Sequence, residues 1–103
     1  MSTPRFSVLL PTRNRIDLLE EAIETVRAQD YADWEIIVSD NASAEDVRGL
    51  VERIGDPRII YLRSDTPLPV TANWNRAMDA ARGHNVVMLG DDDGLTPGYF
   101  TAM

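Results

Sequence analysis

The sequence predicts an α/β fold, a mostly parallel sheet with helices on both faces. Three observations predict it. Four short apolar runs alternate with three amphipathic stretches, giving the order β-α-β-α-β-α-β. The runs are near-continuously apolar rather than alternating, as strands covered on both faces must be. Polar residues of the kind that do chemistry gather directly after the first, second and fourth runs. Right-handed crossovers through the helices would join such strands.

The first strand is Phe6-Ser-Val-Leu-Leu10, closed by Pro11. Leu19, Ala22, Ile23 and Val26 then recur at helical spacing, and Asp17 with Glu20 gives a capping-box-like start. Glu35-Ile-Ile-Val-Ser39 is the second strand, ending at Asp40-Asn41. Ser43 is placed to cap a helix bearing Val47, Leu50, Val51 and Ile54, which Gly55-Asp56-Pro57 stops. Arg58-Ile-Ile-Tyr-Leu62 is the third strand, and Pro67 and Pro69 interrupt the chain after it. Val70, Trp74, Ala77, Met78 and Ala81 mark a third amphipathic helix, closed by Gly83. Asn85-Val-Val-Met-Leu89 is the fourth strand, and Thr96-Pro97 has the pattern of a further helix start. The pattern reads as one domain cut part-way through.

Composition narrows the function. Of 103 residues, 44 % are hydrophobic, enough for a packed core. Ten Lys and Arg against seventeen Asp and Glu leave a net charge of −7, which argues against binding nucleic acid through its phosphates. With no cysteine, disulfides and thiolate metal sites are impossible, which suits a reducing, cytoplasmic setting. No apolar run approaches the ~20 residues that span a bilayer. Attachment to the inner face of a membrane through other parts of a protein stays open, as does self-association through an exposed sheet edge.

In open α/β sheets, ligands sit beyond the carboxyl ends of the strands, where the strand order reverses. If the order is 3-2-1-4, Pro11-Thr-Arg-Asn14 and the acidic run Asp91-Asp-Asp93 flank one crevice, with Asp40-Asn41 beside it. Three adjacent carboxylates repel one another, and a divalent cation is the simplest remedy. An acidic solvated turn ending at Gly94 is the alternative. Arg13 and Arg15 either meet phosphate or offset Asp17, Glu20 and Glu21. Asp40 and Asn41 either hydrogen-bond a base or ribose or form a turn. Trp74 reads as a core residue and His84 as an exposed connector, while Asn73 and Asn75 are poor helix formers that need another reason.

Together, Phe6 to Arg15, Ala28 to Asp40, Ala81-Arg-Gly83 and the acidic run resemble the family 2 glycosyltransferases. The resemblance implies a Rossmann-like GT-A half-domain that binds a nucleotide-diphosphate sugar, UDP- or GDP-linked. It implies transfer of the sugar to a glycan, lipid or protein acceptor, with inversion, using Mn²⁺ or Mg²⁺. By position, Pro11, Thr12, Arg13 and Asn14 would line the base and ribose pocket. Asp40 and Asn41 match an acidic pair that contacts the nucleotide, Asn41 standing where Asp is common. Asn75 falls near the donor phosphates. The family's Asp-x-Asp pattern places Gly90 at its first Asp, Asp91 at the variable position toward the donor, and Asp92 at the metal, followed by Asp93. A shift of one residue would instead pair Asp91 with Asp93. The general base of such enzymes lies in their second half and matches nothing here, so residues 1–103 alone are expected to be inactive. A non-catalytic nucleotide- or metal-binding module is the competing class. A phosphoryl-transfer domain ranks lower, because its key carboxylates follow the first strand, where Pro11-Thr12 stands.

Overall fold

The computed structural model describes residues 4–29, 33–83 and 85–89. Four parallel strands lie in the order β3-β2-β1-β4, and three helices connect them. They are β1 (Phe6–Thr12), α1 (Ile16–Arg27), β2 (Trp34–Asn41), α2 (Val47–Ile54), β3 (Ile59–Ser64), α3 (Val70–Ala80) and β4 (Asn85–Met88). The predicted order of elements and the reversal between β1 and β4 are both found.

The continuous apolar runs have the expected cause. Val8, Leu10, Ile36 and Val38 face α1 and α2, meeting Leu19, Ile23 and Leu50 in the main core. Leu9 and Ile37 point to the other face, where Ala77 of α3 and part of Trp74 cover them. All of these except Trp74 are at or near zero exposure. Burial of this kind stabilises by roughly 25 cal/mol per Å² of apolar surface removed from water.

Boundaries differ where polar residues follow a strand. β1 runs through Pro11 to Thr12, which pairs with Asp40 of β2. Leu9 bonds toward β4, since its carbonyl accepts from the Leu89 N–H at 3.0 Å. Two residues on, the missing N–H of Pro11 also points that way, so the ladder to β2 loses nothing. The helix caps differ too. Asp17 lies inside the first turn of α1, whose N-cap is Arg15 without a side-chain cap bond. Glu45 supplies the acceptor instead, taking the Ile16 N–H at 3.1 Å. Asp46, not Ser43, caps α2 by accepting from the Gly49 N–H at 3.0 Å. Gly55 ends that helix with φ of 68°, as expected. On α3, Val70 and Met78 are exposed and Asn73 is buried, so the apolar stripe read from spacing is only partly the buried face.

At the amino edge of the sheet an ion pair between buried Glu35 and the exposed Arg82 side chain fixes the entry to β4. Ser7 donates to Glu35 Oε2 at 2.6 Å, and the Arg82 backbone and side chain donate to the same carboxylate at 2.7 and 3.0 Å. Burial pushes the Glu35 carboxyl upward, but the Ser7 and Arg82 donors outweigh it and leave it below its ordinary value. Gly83 N–H donates to Ser7 Oγ at 2.7 Å. This gives Ala81-Arg-Gly83 a packing role far from the carboxyl ends of the strands. Among the described residues, no helix is long and apolar enough to cross a membrane.

Candidate functional site

Three loops meet at the carboxyl edge, after β1, β2 and β3, and side chains stitch them together. Asn14 sits in the left-handed region with φ of 54°, which Asn tolerates better than most residues. Its N–H donates to Ser43 Oγ at 2.9 Å, and its Oδ1 accepts from the Ala44 N–H at 2.7 Å. Ala42, with φ of 56°, is the second strained residue, directly after Asn41. Strain of this sort persists only where surrounding bonds enforce it, and here they do.

Asp40 is fully buried and its carboxylate meets three donors. These are Tyr61 Oη at 2.6 Å, Arg63 Nη1 at 3.0 Å and the Ser43 N–H at 3.1 Å. Burial raises the Tyr61 hydroxyl's pKa, and the bond to Asp40 raises it further. Asn41 is likewise occupied, through both ends of its carboxamide, by the backbone of Leu68. Ser39 and Asn73 exchange two hydrogen bonds, Ser39 Oγ to Asn73 Oδ1 at 2.6 Å and Asn73 Nδ2 to the Ser39 carbonyl at 3.1 Å. Asn73 thus has a structural reason to sit within α3.

Between the β1 loop and the start of α3 lies a cleft of about 440 Å³. Pro11, Thr12, Arg13 and Arg15 line it from one loop, with Asn41, Leu68, Val70, Asn73 and Trp74 completing it. Pro11, Thr12, Arg13 and Asn41 are therefore brought together as the sequence led one to expect. Asn14 and Asp40 stand behind the cleft, tying loops rather than lining it. Asn75 is exposed on α3 and does not line it. Trp74 belongs both to the small core and to the cleft wall. Sequence alone does not single out Tyr61 and Arg63: β3 extends past the predicted Leu62 to Ser64, and only its register with β2 sets both side chains beside Asp40. A second cavity, of about 500 Å³, lies between α2 and β3, with charges of both signs.

His84, Gly90, the acidic run Asp91–Asp93 and Thr96-Pro97 lie outside the described residues. Among the described residues, no three acidic or imidazole side chains gather to hold a metal. Leu89 leaves β4 hydrogen-bonded to Leu9, two residues short of Asp91.

This parallel α/β sheet, in the order β3-β2-β1-β4, is the fold of GT-A glycosyltransferase structures. The chain matches the Glycosyl transferase family 2 profile over residues 7–103, and belongs to that family. A Campylobacter jejuni protein named GalNAc(5)-diNAcBac-PP-undecaprenol beta-1,3-glucosyltransferase is 40% identical over 97% of this chain and 33% of its own. The S. aureus TarS 1-349 structure in complex with UDP-GlcNAc superposes with a TM-score of 0.87 at 23% identity, over 95% of this chain and 29% of that one. The mannosyltransferase PcManGT from Pyrobaculum calidifontis, solved with GDP-Man and Mn²⁺, has a TM-score of 0.78 at 28% identity, over 89% of this chain and 28% of that one. The chain thus spans about a third of the length of the C. jejuni relative.

Proposed function

We propose that the cleft holds a nucleotide-diphosphate sugar and that the complete protein transfers its sugar to an acceptor hydroxyl in glycan biosynthesis. The observation that carries this is the cleft's position. It opens at the carboxyl end of β1, where strand order reverses, with Arg13 and Arg15 on one loop and Trp74 on the opposite helix. Arginine suits a diphosphate through its fork of N–H donors, and an indole suits a base or ribose through apolar contact.

Pro11, Thr12 and Arg13 are assigned to the nucleotide, with Asn14, Asp40 and Asn41 shaping the pocket around it. Asn75 and Asp91 are assigned to the donor's outer side, and Asp92 with Asp93 to a divalent cation. An all-oxygen donor set fits Mn²⁺ or Mg²⁺, and PcManGT was solved with Mn²⁺ and GDP-Man. When bound, the cation would supply positive charge against that building on the departing diphosphate. In the transfer, the acceptor oxygen bonds the anomeric carbon while the bond to the β-phosphate oxygen breaks. The electron pair leaves with the nucleoside diphosphate, and the acceptor proton passes to a general base outside residues 1–103. A single displacement inverts the anomeric carbon. The proposal places this work in the cytoplasm.

Calorimetric titration of UDP and GDP into the full-length protein tests it, with and without Mn²⁺, beside Asp92→Ala. Binding of one nucleotide is expected to tighten at least tenfold with Mn²⁺, the equivalent of about 1.4 kcal/mol. Asp92→Ala is expected to abolish that gain. Binding indifferent to both metal and substitution would refute the assignment.

A further inference from the structure

From β3 to α3 the chain passes beside the cleft as Asp65-Thr-Pro-Leu-Pro69. Proline fixes its own φ and drives the preceding residue to an extended shape, so this strap is stiff before it meets anything else. Pro67 and Pro69 have no N–H, which leaves Leu68 the one amide donor of residues 67–69. Asn41 takes both backbone groups of Leu68. Its Oδ1 accepts from the Leu68 N–H at 2.7 Å, and its Nδ2 donates to the Leu68 carbonyl at 2.9 Å. At 6% exposure, Asn41 has little surface left for a ligand.

Resting on the donor-binding proposal, we infer that Asn41 is a positioning residue that clamps Leu68 as a wall of the nucleotide cleft. It acts on the nucleotide through the strap and not by contact. The chemistry explains why Asn serves this position where Asp would not. A carboxamide offers an acceptor and a donor on one planar head, whereas an ionised carboxylate only accepts. Asp at 41 would keep the bond from the Leu68 N–H and set an oxygen against the Leu68 carbonyl. The strap then loses one of two tethers, and Leu68 and Val70, which share the cleft lining with Arg13 and Trp74, lose their fixed place.

The test compares full-length wild type with Asn41→Ala, which removes both tethers, and with Asn41→Asp, which removes one. In nucleotide-free Asn41→Ala, hydrogen exchange at the Leu68 amide is expected to quicken about tenfold, with β1 and β2 unchanged. In Asn41→Asp, binding of whichever of UDP or GDP the wild type takes is expected to weaken about tenfold, with the donor KM rising and kcat held within about twofold. Unchanged exchange would overturn the clamp. Quickened exchange with nucleotide binding unchanged would overturn it too, because the strap would then be no wall of the nucleotide site. Wild type that binds neither nucleotide would refute the donor proposal, and the exchange measurement separates that failure from failure of the clamp. Should Asn41→Asp not fold, Pro67→Ala loosens the strap from its own side, and a wild-type donor KM in that variant would overturn the inference.

Discussion

A buried carboxylate is tolerated only when donors replace the water it has lost, and Asp40 meets that demand through Tyr61, Arg63 and Ser43. Asp40 itself could be picked out in the sequence, because an acid at the end of an apolar run is conspicuous. Its partners could not, since Tyr61 and Arg63 lie 21 and 23 residues further on and only the β2–β3 register brings them in. Gly83 shows the same gap. A Cβ there would stand 2.6 Å from Ser7 Oγ and 2.7 Å from the Ser7 backbone nitrogen, so no other residue fits without movement. Gly83→Ala is expected to cost about 2 kcal/mol, read as a lower urea midpoint with an unchanged slope. An unchanged midpoint would mean that the approach of this chain segment to β1 is loose.

Among the elements, those read best were the ones that periodicity governs. β1, β2 and α1 are covered or amphipathic over their whole length, and the apolar positions named for them are buried. The start of α1 was less legible because its acceptor, Glu45, comes from another loop. α3 misled by spacing alone: Ser39 draws Asn73 inward, while Val70 is left exposed. The junction of α2 and β3 is held electrostatically. Asp56 is bound by Arg58 at 2.8 Å and approached by Arg27 at 3.5 Å. The Arg58 hydrogen bond lowers its pKa from 3.8 to about 2, against an opposing effect of burial. A carboxyl lowered on folding contributes stability above its unfolded pKa and loses it as the pH falls through the folded one. Thermal midpoints are therefore expected to drop as acid is added from ~pH 5 toward ~pH 2, and Asp56→Asn is expected to flatten that decline. An equal decline in both proteins would place the acid-sensitive group elsewhere, with Glu35 the next candidate.

For the molecule as a whole, the order β3-β2-β1-β4 turns separate stretches of sequence into one edge. It sets the β1 loop between the β2 loop and the end of β4. Arginines thus line the mouth of a cleft in a chain whose net charge is −7. An anionic ligand would meet them locally even though the long-range field repels it, so its binding should weaken with salt less than a purely steered association does. The cleft's outline was legible in Pro11, Thr12 and Arg13. Its far wall was not, because Leu68 reaches it through Asn41, a contact that no local pattern announces. The central claim, that this cleft holds the donor, is tested most directly by the structure of the full-length protein crystallised with Mn²⁺ and whichever of UDP or GDP binds it. The account predicts a diphosphate within hydrogen-bond reach of Arg13 or Arg15 and a nucleoside between Thr12 and Trp74. A nucleotide seated instead in the cavity between α2 and β3 would contradict it.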